Sequence, residues 1–241
     1  MKLAYFVKHA FNLAVATLGA FAHFVWRYVT TGGKLSLQER ALWLHRWCAY
    51  VLPTLSVRIQ VEGSPPTSGM IVSNHLSYLD ILVFSAVVPT LFVAKREVRS
   101  WLVFGLLAHL AGTRFLDRAR SADAHRVQNE VQEALEKGSI VVVFPEGTST
   151  DGNTVLPFKP ALFEAVVGKH TVTPARLTYS VTQGSVSNDV CYWGDMTFFP
   201  HLLRLLSKPS ILARVDFAPA THFDDRKLAA IETREQVLAL G

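Results

Sequence analysis

The pattern of apolar and polar residues divides the chain into an apolar N-terminal part and a longer part with mixed periodicity. The first part holds two apolar stretches, at 10–26 and 41–55, with a Thr-Gly-Gly turn between them at 31–33. A helix over 10–26 would be about 25 Å long, short of the roughly 30 Å hydrocarbon core of a bilayer. The pattern therefore predicts a helical hairpin that dips into one leaflet of a membrane.

Three other interpretations of this part stay open. The first stretch could be a single membrane-spanning helix. Lys2 and Lys8 before an apolar run and Ala-Phe-Ala at 20–22 are also typical of a secretory signal, although apolar residues continue to Val29. Finally, both stretches could be ordinary buried helices, because apolar runs of this length are common in protein cores.

After Arg58 the pattern changes to short apolar runs that alternate with helical segments. A helix is predicted at 122–137, with Ser121 as its N-cap and Gly138 at its end, and another at 224–240. Strands are predicted at 70–73, 91–94, 113–116, 140–144, 172–178 and 211–217. Such alternation indicates an α/β fold with a largely parallel central sheet flanked by helices. We therefore expect membrane-anchoring helices at 1–60 and one α/β domain at 61–241.

The charge distribution supports a membrane surface as the partner of the N-terminal part. The chain has a net charge of +5, yet residues 1–60 alone carry +6 and the rest of the chain carries −1. Positive charge concentrated in the most apolar segment favours anionic lipid headgroups over nucleic acid. The two cysteines, Cys48 and Cys191, supply neither a disulfide framework nor a cysteine-based zinc site.

The first group of candidate residues follows the predicted strand at 70–73. Asn74 and His75 come directly after it, and Asp80 lies in the first turn of the next helix. Across a strand-to-helix turn a carboxylate can hold an imidazole so that its other nitrogen takes a proton from a hydroxyl. However, Ser77-x-x-Asp80 also matches a helix-capping box, so that Asp80 could serve only as a cap.

The second group follows the predicted strand at 140–144. Gly147 permits close approach of the backbone, and Thr148 and Ser149 supply groups that can hold an oxyanion. Glu146 could accept hydrogen bonds from substrate hydroxyls or position a cation, and an ordinary turn is the alternative. Several cations also stand near strand ends, where they could bind a phosphate: Lys95, Arg96, Arg114, Arg118 and Lys159.

Taken together, these motifs resemble the glycerolipid acyltransferases, the family of 1-acylglycerol-3-phosphate acyltransferases. The hallmark His-x4-Asp of that family matches His75 and Asp80. Further blocks in the same order are similar to Lys95-Arg96-Glu97 with the residues to Arg118, to 144–149 with Phe158-Lys159, to Val172-Thr173-Pro174-Ala175, and to Trp193-Gly194-Asp195-Met196. The resemblance covers about residues 65–220.

The chain departs from the family pattern at three positions. Leu102 stands where a proline is usual, Ala161 where a glycine is usual, and Arg176 where a small or apolar residue is more usual. These departures leave the expected chemistry in place, but they leave the identity of the acceptor open.

The resemblance implies direct transfer of a fatty acyl group from acyl-CoA or acyl carrier protein to the free hydroxyl of 1-acylglycerol 3-phosphate. It makes His75 the general base, oriented by Asp80. It implies that the acceptor is bound by Asn74, Lys95, Arg96, Arg118, Glu146, Gly147, Thr148, Ser149 and Lys159. The chain has no Gly-x-Ser-x-Gly elbow, P-loop or His-Glu-x-x-His motif, so we expect no acyl-enzyme, cofactor or metal.

We therefore expect an enzyme at the cytoplasmic face of a bacterial inner membrane, whose partners are membrane lipids, a lysolipid acceptor and the acyl donor. Three alternatives stay open. The acceptor could be another lysolipid such as lyso-ornithine lipid. The protein could instead be a lipid hydrolase in which His75 activates water, or a non-catalytic protein that binds membranes.

Overall fold

The computed structural model describes residues 2–117 and 121–240, which form eight α-helices and seven strands. The helices are α1 (Lys2–Thr30), α2 (Leu37–Thr54), α3 (Leu79–Val87), α4 (Leu102–Leu110), α5 (Ser121–Glu136), α6 (Val186–Asp189), α7 (Phe198–Leu206) and α8 (Arg226–Ala239). The strands are β1 (Val57–Glu62), β2 (Met70–Ser73), β3 (Thr90–Lys95), β4 (Arg114–Leu116), β5 (Ile140–Val143), β6 (Val172–Val181) and β7 (Ile211–Phe217). Two short 3-10 helices lie at Arg96–Ser100 and Pro160–Phe163.

The seven strands form one sheet in the order β1-β7-β6-β2-β5-β3-β4. Five neighbouring strands, from β6 to β4, run parallel. β7 is antiparallel to β6, and β1 is parallel to β7, so these two strands run the other way. The predicted α/β fold with a largely parallel sheet flanked by helices is therefore confirmed.

The strand at β1 is absent from the sequence-based prediction, which placed residues 1–60 in the N-terminal helices. β1 alternates Val57, Ile59 and Val61 with polar residues, a period of two that is typical of an edge strand. Because β1 begins three residues after the end of α2, its alternation merges with the apolar pattern of that helix. β1 runs across residue 60, and the division of the chain at that point stays a prediction.

The two faces of the sheet bury different sets of side chains. Ile71 and Val142 point to the face that is covered by α2 and α3, whereas Met70 and Val141 point to the face covered by α5 and α8. This division follows from the alternation of side chains along a strand. Both faces are covered, as is usual for parallel sheets, so the central strands are almost continuously apolar.

The N-terminal helices pack on the first of these faces and share its core. Trp47 and Val51 of α2 are buried in the same cluster as the sheet residues. The indole nitrogen of Trp43 donates a hydrogen bond to the carbonyl of Ala20, 3.0 Å away, and fastens α1 to α2. Among the described helices, none has both the length and the apolar character that a membrane crossing requires.

Candidate active site

The first predicted group lies in the turn that leads from β2 into α3. The carboxylate of Asp80 is fully buried, and its Oδ2 lies 2.8 Å from His75 Nδ1. The same oxygen accepts the backbone amides of Leu76 at 2.6 Å and Ser77 at 2.9 Å. Asp80 therefore organises the turn and orients the imidazole at once. The predicted capping box is only half formed, because the Ser77 hydroxyl has no partner among the described residues and α3 begins without a side-chain cap.

The second carboxylate oxygen of Asp80 is bound by a residue of β6, a strand that neighbours β2 in the sheet but is far away in sequence. Tyr179 of β6 donates its hydroxyl to Asp80 Oδ1 at 2.8 Å. Burial, followed by the neighbouring Asp80 carboxylate, raises the pKa of Tyr179 well above its usual value, so the phenol stays protonated and keeps donating.

The imidazole of His75 is held by stacking on its ring face as well as by the hydrogen bond to Asp80. Its ring stacks on Phe144 with ring centroids 4.2 Å apart and planes inclined by 13°. Because Asp80 accepts from Nδ1–H, the network assigns the lone pair to Nε2. The His75 side chain is 21% exposed and lines a cavity, so Nε2 is the nitrogen that is left to act as a base.

Glu146 connects the second predicted group to the first. Its Oε1 accepts the backbone amide of His75 at 2.7 Å, and its Oε2 accepts that of Leu156 at 2.6 Å. The side chain is 2% exposed, and this burial raises the pKa of Glu146 above its usual value. Both oxygens are thus engaged by backbone, which gives Glu146 a positioning role; the contact with a substrate hydroxyl stays a prediction.

Gly147 is required where the chain turns beneath Lys159. Its φ of +75° lies in the left-handed region, and a Cβ atom there would come within 2.6 Å of Lys159 Nζ. A residue with a Cβ atom would be strained by this φ, and the Lys159 side chain would have to move to make room for it. The glycine therefore brings the loop backbone and a lysine side chain close together.

His75 stands in the wall of a cavity of about 220 Å³ on the face of the sheet that carries the N-terminal helices. Most of the wall is apolar or aromatic and includes Trp47, Leu82, Trp101, Phe104, Leu107 and Phe198. The polar part includes His75, Lys95, Thr113, the loop at 147–149 and the hydroxyl-bearing rings of Tyr78 and Tyr192. An apolar chamber with a base among its few polar groups suits a reaction on an acyl chain.

The structure brings together some of the predicted binding residues and separates others. Lys95, Gly147, Thr148 and Ser149 line the cavity with His75. The hydroxyl of Ser149 donates to the carbonyl of Tyr192, which ties the loop to the far wall.

The other predicted binding residues lie elsewhere. Asn74 is buried and bridges β2 to β6: its Oδ1 accepts the amide of Leu177 at 2.8 Å and its Nδ2 donates to the carbonyl at 2.9 Å. Arg96 is exposed and pairs with Asp117 at 2.8 Å. Lys159 lines a second cavity, and Arg118 lies outside the described residues.

Two departures from the family pattern lie away from this cavity. Arg176 donates to the carbonyl of Leu238 at 2.8 Å, at the end of α8, and Ala161 lines the second cavity. Neither residue therefore contacts the cavity that holds His75, although both motivated a change of acceptor.

Sequence reasoning missed Tyr179 and the stacking role of Phe144. A tyrosine inside a buried strand signals that its hydroxyl has a partner, but nothing local names Asp80, which is 99 residues away. In the described part of the chain, no group of three or more His, Cys, Asp or Glu is placed to hold a metal ion.

Comparison with known proteins identifies the family to which the chain belongs. A family model described as acyltransferase matches residues 57–178. The lyso-ornithine lipid O-acyltransferase of Rhizobium meliloti (strain 1021) is 35% identical over 79% of this chain and 70% of its own length. The 1-acyl-sn-glycerol-3-phosphate acyltransferase of Neisseria meningitidis serogroup B is 33% identical over 79% of this chain and 77% of its own.

The fold has a counterpart among solved structures. The crystal structure of the 1-acyl-sn-glycerophosphate (LPA) acyltransferase PlsC from Thermotoga maritima matches with a TM-score of 0.69 and 19% sequence identity, covering 100% of this chain and 98% of that one. The chain belongs to the acyltransferase family. Within that family it is an enzyme of the PlsC-like lysolipid acyltransferases, as the motif resemblance implied.

Proposed function

We propose that this enzyme transfers a fatty acyl group from acyl-CoA or acyl carrier protein to the free hydroxyl of 1-acylglycerol 3-phosphate and so forms phosphatidic acid. The observation that carries the proposal is the His75–Asp80 pair. Its imidazole is held by the carboxylate and by the ring of Phe144, and it lines a largely apolar cavity. No cofactor is needed for this chemistry.

In the proposed mechanism His75 Nε2 takes the proton of the acceptor hydroxyl while the hydroxyl oxygen attacks the thioester carbon. The new C–O bond forms, the C–S bond breaks, and the proton passes from the imidazolium to the departing thiolate. Asp80 stabilises the imidazolium and holds its tautomer through Nδ1. The products are the ester and the free thiol, and no acyl-enzyme is formed.

The loop at 147–149 and Lys95 are the groups that we assign to the acceptor. Gly147, Thr148 and Ser149 line the cavity beside His75, where the glycerol and the developing oxyanion would lie. Lys95 supplies a positive charge for the phosphate. Asn74 and Glu146 act through the backbone that they hold, and phosphate contacts by Arg96, Arg118 and Lys159 stay predictions.

Lyso-ornithine lipid is the second candidate acceptor. The relative from Brucella abortus that carries this acceptor in its name is 38% identical over 74% of this chain. In addition, aromatic rings line the cavity, and those of Trp101 and Phe198 lie 4.5 Å apart. Aromatic faces attract a cationic amine, which the ornithine headgroup carries and glycerol phosphate lacks.

We further propose that the enzyme sits on the cytoplasmic face of a bacterial inner membrane without crossing it. Large apolar side chains are exposed along α1 at spacings of three, four or seven residues: Leu3, Val7, Phe11, Val15, Leu18, Val25 and Val29. Such spacing places them on one face of the helix. This apolar face supports monotopic binding, in which the helix lies in the interface.

The decisive experiment incubates purified protein with radiolabelled palmitoyl-CoA and each of two acceptors, 1-oleoylglycerol 3-phosphate and lyso-ornithine lipid. We expect labelled phosphatidic acid, and we expect the product to disappear in His75→Ala. His222→Ala, an exposed histidine outside the cavity, is the matched control and retains activity. Labelled ornithine lipid alone would favour the second acceptor, and free fatty acid without acylated product would favour a hydrolase. No turnover with either palmitoyl-CoA or palmitoyl-acyl carrier protein would favour a binding protein.

A further inference from the structure

A groove between α1 and α2 borders the apolar face of α1. It consists of two hollows of about 320 and 280 Å³, whose walls share His23, Trp43 and Arg46. On α1 the wall of the first hollow follows Val15, Gly19 and His23, which are spaced four residues apart and therefore lie in one row. Val15 is also one of the exposed residues of the apolar face, so the groove adjoins the surface that we assign to the membrane.

The two helices are firmly joined beside the groove, and the groove itself is open at Gly19. The indole nitrogen of Trp43 donates to the carbonyl of Ala20, and the Trp43 ring meets Phe24 edge-on with centroids 5.1 Å apart. At Gly19, which is exposed, a Cβ atom would have no neighbour within 4 Å. The missing side chain therefore leaves room in the wall for a ligand.

Arg46 supplies the positive charge of this groove. The other arginine in its wall, Arg27, pairs at 2.7 Å with Glu39, the acidic residue that lines the second hollow. Arg46 is exposed, and no described residue forms an ion pair or a hydrogen bond with its side chain. The imidazole of His23 adds a further N–H donor to the same wall. The groove therefore offers a guanidinium and an imidazole, beside apolar residues, to a negatively charged ligand.

The position of the groove indicates where such a ligand comes from. A helix that lies in the membrane interface brings the groove beside it to the level of the lipid headgroups. A guanidinium binds a phosphate group through two parallel hydrogen bonds, and anionic lipids attract basic groups at this depth. Zwitterionic lipids carry a cation next to the phosphate, and that cation would approach Arg46. The charge of the groove thus favours a lipid whose headgroup is anionic as a whole.

We propose that the groove between α1 and α2 binds the headgroup phosphate of an anionic phospholipid, which Arg46 holds while the lipid chains extend along the apolar face of α1. This inference rests on the proposed monotopic binding and deepens it, because association then depends on one headgroup site as well as on apolar burial. Arg46 and His23 do not line the cavity that holds His75, so the bound lipid is distinct from the acceptor.

Lipids with short chains test the site without a membrane, since they dissolve as monomers. Titration calorimetry with dihexanoylphosphatidylglycerol and dihexanoylphosphatidylcholine compares two headgroups on the same chains. We expect wild-type protein to bind the anionic lipid at least about tenfold more tightly, as for charge-assisted hydrogen bonds. Arg46→Gln should lose this preference. Arg46→Lys should keep only part of it, because an ammonium lacks the paired donors of a guanidinium.

Lys8→Gln is the matched control for charge. It removes one positive charge from α1 at an exposed position outside the groove. A defined site predicts that Lys8→Gln keeps the preference for the anionic lipid, whereas general attraction to the basic N-terminal part predicts equal losses for Lys8→Gln and Arg46→Gln. Equal losses would overturn the proposal, and so would a wild-type protein without any preference or an Arg46→Gln variant that retains it.

A second pair of variants tests the groove by its shape. Alanine and phenylalanine both favour a helix more than glycine does, so neither Gly19→Ala nor Gly19→Phe should disturb α1. The alanine methyl fits the open space, whereas a phenyl ring fills the groove. We expect Gly19→Phe to weaken binding of the anionic lipid about tenfold and Gly19→Ala to leave it unchanged. Equal binding by the two variants would show that the headgroup lies elsewhere.

Sedimentation with vesicles separates this site from membrane association itself. Binding to vesicles of phosphatidylcholine measures association through the apolar face, and the increase when phosphatidylglycerol is added measures the headgroup site. We expect Arg46→Gln to bind the first vesicles as wild-type protein does and to lose most of the increase. Wild-type protein that binds both kinds of vesicle equally would overturn the headgroup site and leave the proposed membrane association standing.

Discussion

Asp80 receives four hydrogen bonds and has no contact with solvent. The donors are the imidazole of His75, two backbone amides and the hydroxyl of Tyr179. A buried carboxylate is tolerated only when such partners replace its hydration. The same partners fix where the carboxylate points, so the orientation of His75 depends on a strand far away in sequence.

Removal of the Tyr179 hydroxyl tests that dependence. In Tyr179→Phe, Asp80 Oδ1 loses its donor while the ring keeps its packing. We expect the free energy of unfolding to fall by about 1–3 kcal/mol and kcat to fall several-fold with little change in KM, since Tyr179 does not line the His75 cavity. Steady-state kinetics and urea unfolding measure both quantities, and Tyr50→Phe, an exposed tyrosine on α2, is the control. An unchanged kcat would show that Asp80 holds His75 without this bond.

Glu146 offers a second test of backbone positioning. The amide nitrogen of Glu146→Gln cannot accept a hydrogen bond, so either the His75 or the Leu156 amide loses its acceptor. We expect a loss of about 1–3 kcal/mol in stability and a drop in kcat that Glu164→Gln, an exposed glutamate, does not show. If the stability is unchanged and only the KM for the acceptor rises, Glu146 contacts the substrate directly.

The sequence predicted the His75–Asp80 pair because both residues belong to one local turn. The partners of Asn74 and Glu146 were not predictable in that way. Asn74 binds Leu177, which is 103 residues away, and Glu146 binds His75 across 71 residues. Polar residues next to a predicted site look alike whether they touch a substrate or hold the backbone. Only the three-dimensional arrangement separates these two roles.

At the scale of elements, α7 supports the aromatic wall of the cavity through a buried histidine. His201 is fully buried, and its Nδ1 lies 2.9 Å from the hydroxyl of Tyr78 at the start of α3. Burial raises the pKa of Tyr78, so the phenol is the donor, and burial lowers the pKa of His201 below 6.5. The bond therefore requires a neutral imidazole.

This arrangement predicts acid sensitivity. As pH falls below about 6.5, the unfolded chain takes up a proton at His201 that the folded chain resists, so the free energy of unfolding decreases. His201→Gln removes this contribution, and its stability should depend less steeply on pH, by at most about 1.4 kcal/mol per pH unit. Urea unfolding between pH 7.5 and 5 measures the slopes, with His222→Gln as control. Equal slopes for wild type and His201→Gln would contradict the assignment.

Periodicity predicted most elements because their apolar faces are regular. Strand β2 was predicted at its observed bounds, and β6 runs three residues further than predicted, to Val181. The length of each strand ladder carries no such signal. β3 lies between β5 and β4, and its pairing with β5 ends at Phe92 and Val142 because of tertiary packing.

At the scale of the whole molecule, α1 has two faces with different surroundings. His9, Ala16 and Phe24 are buried on one face, whereas the exposed apolar residues run along the other. The sequence predicted an apolar N-terminal part, but membranes and protein cores select the same residues. It could not show that one face of α1 belongs to the core of the protein.

The exposed face predicts how the protein binds membranes. Replacing Phe11 and Leu18 by glutamate should weaken binding to vesicles of phosphatidylethanolamine and phosphatidylglycerol by at least about tenfold, because each buried apolar side chain contributes about 1.5–3 kcal/mol. Both residues are more than 60% exposed, so the fold should survive. Sedimentation with vesicles measures the binding, and Leu228→Glu on α8 is the control. Equal binding by the double variant would place the contact elsewhere.

The central claim is that His75 acts as the base in acyl transfer to a lysolipid. It is tested most directly by kcat for acylation of the preferred lysolipid by His75→Ala beside wild-type protein, with thermal unfolding as the check on folding. We predict a fall in kcat of about 10²–10⁴ with the melting temperature preserved, as for loss of a general base. A folded His75→Ala that retains more than about a tenth of the wild-type kcat would contradict that role.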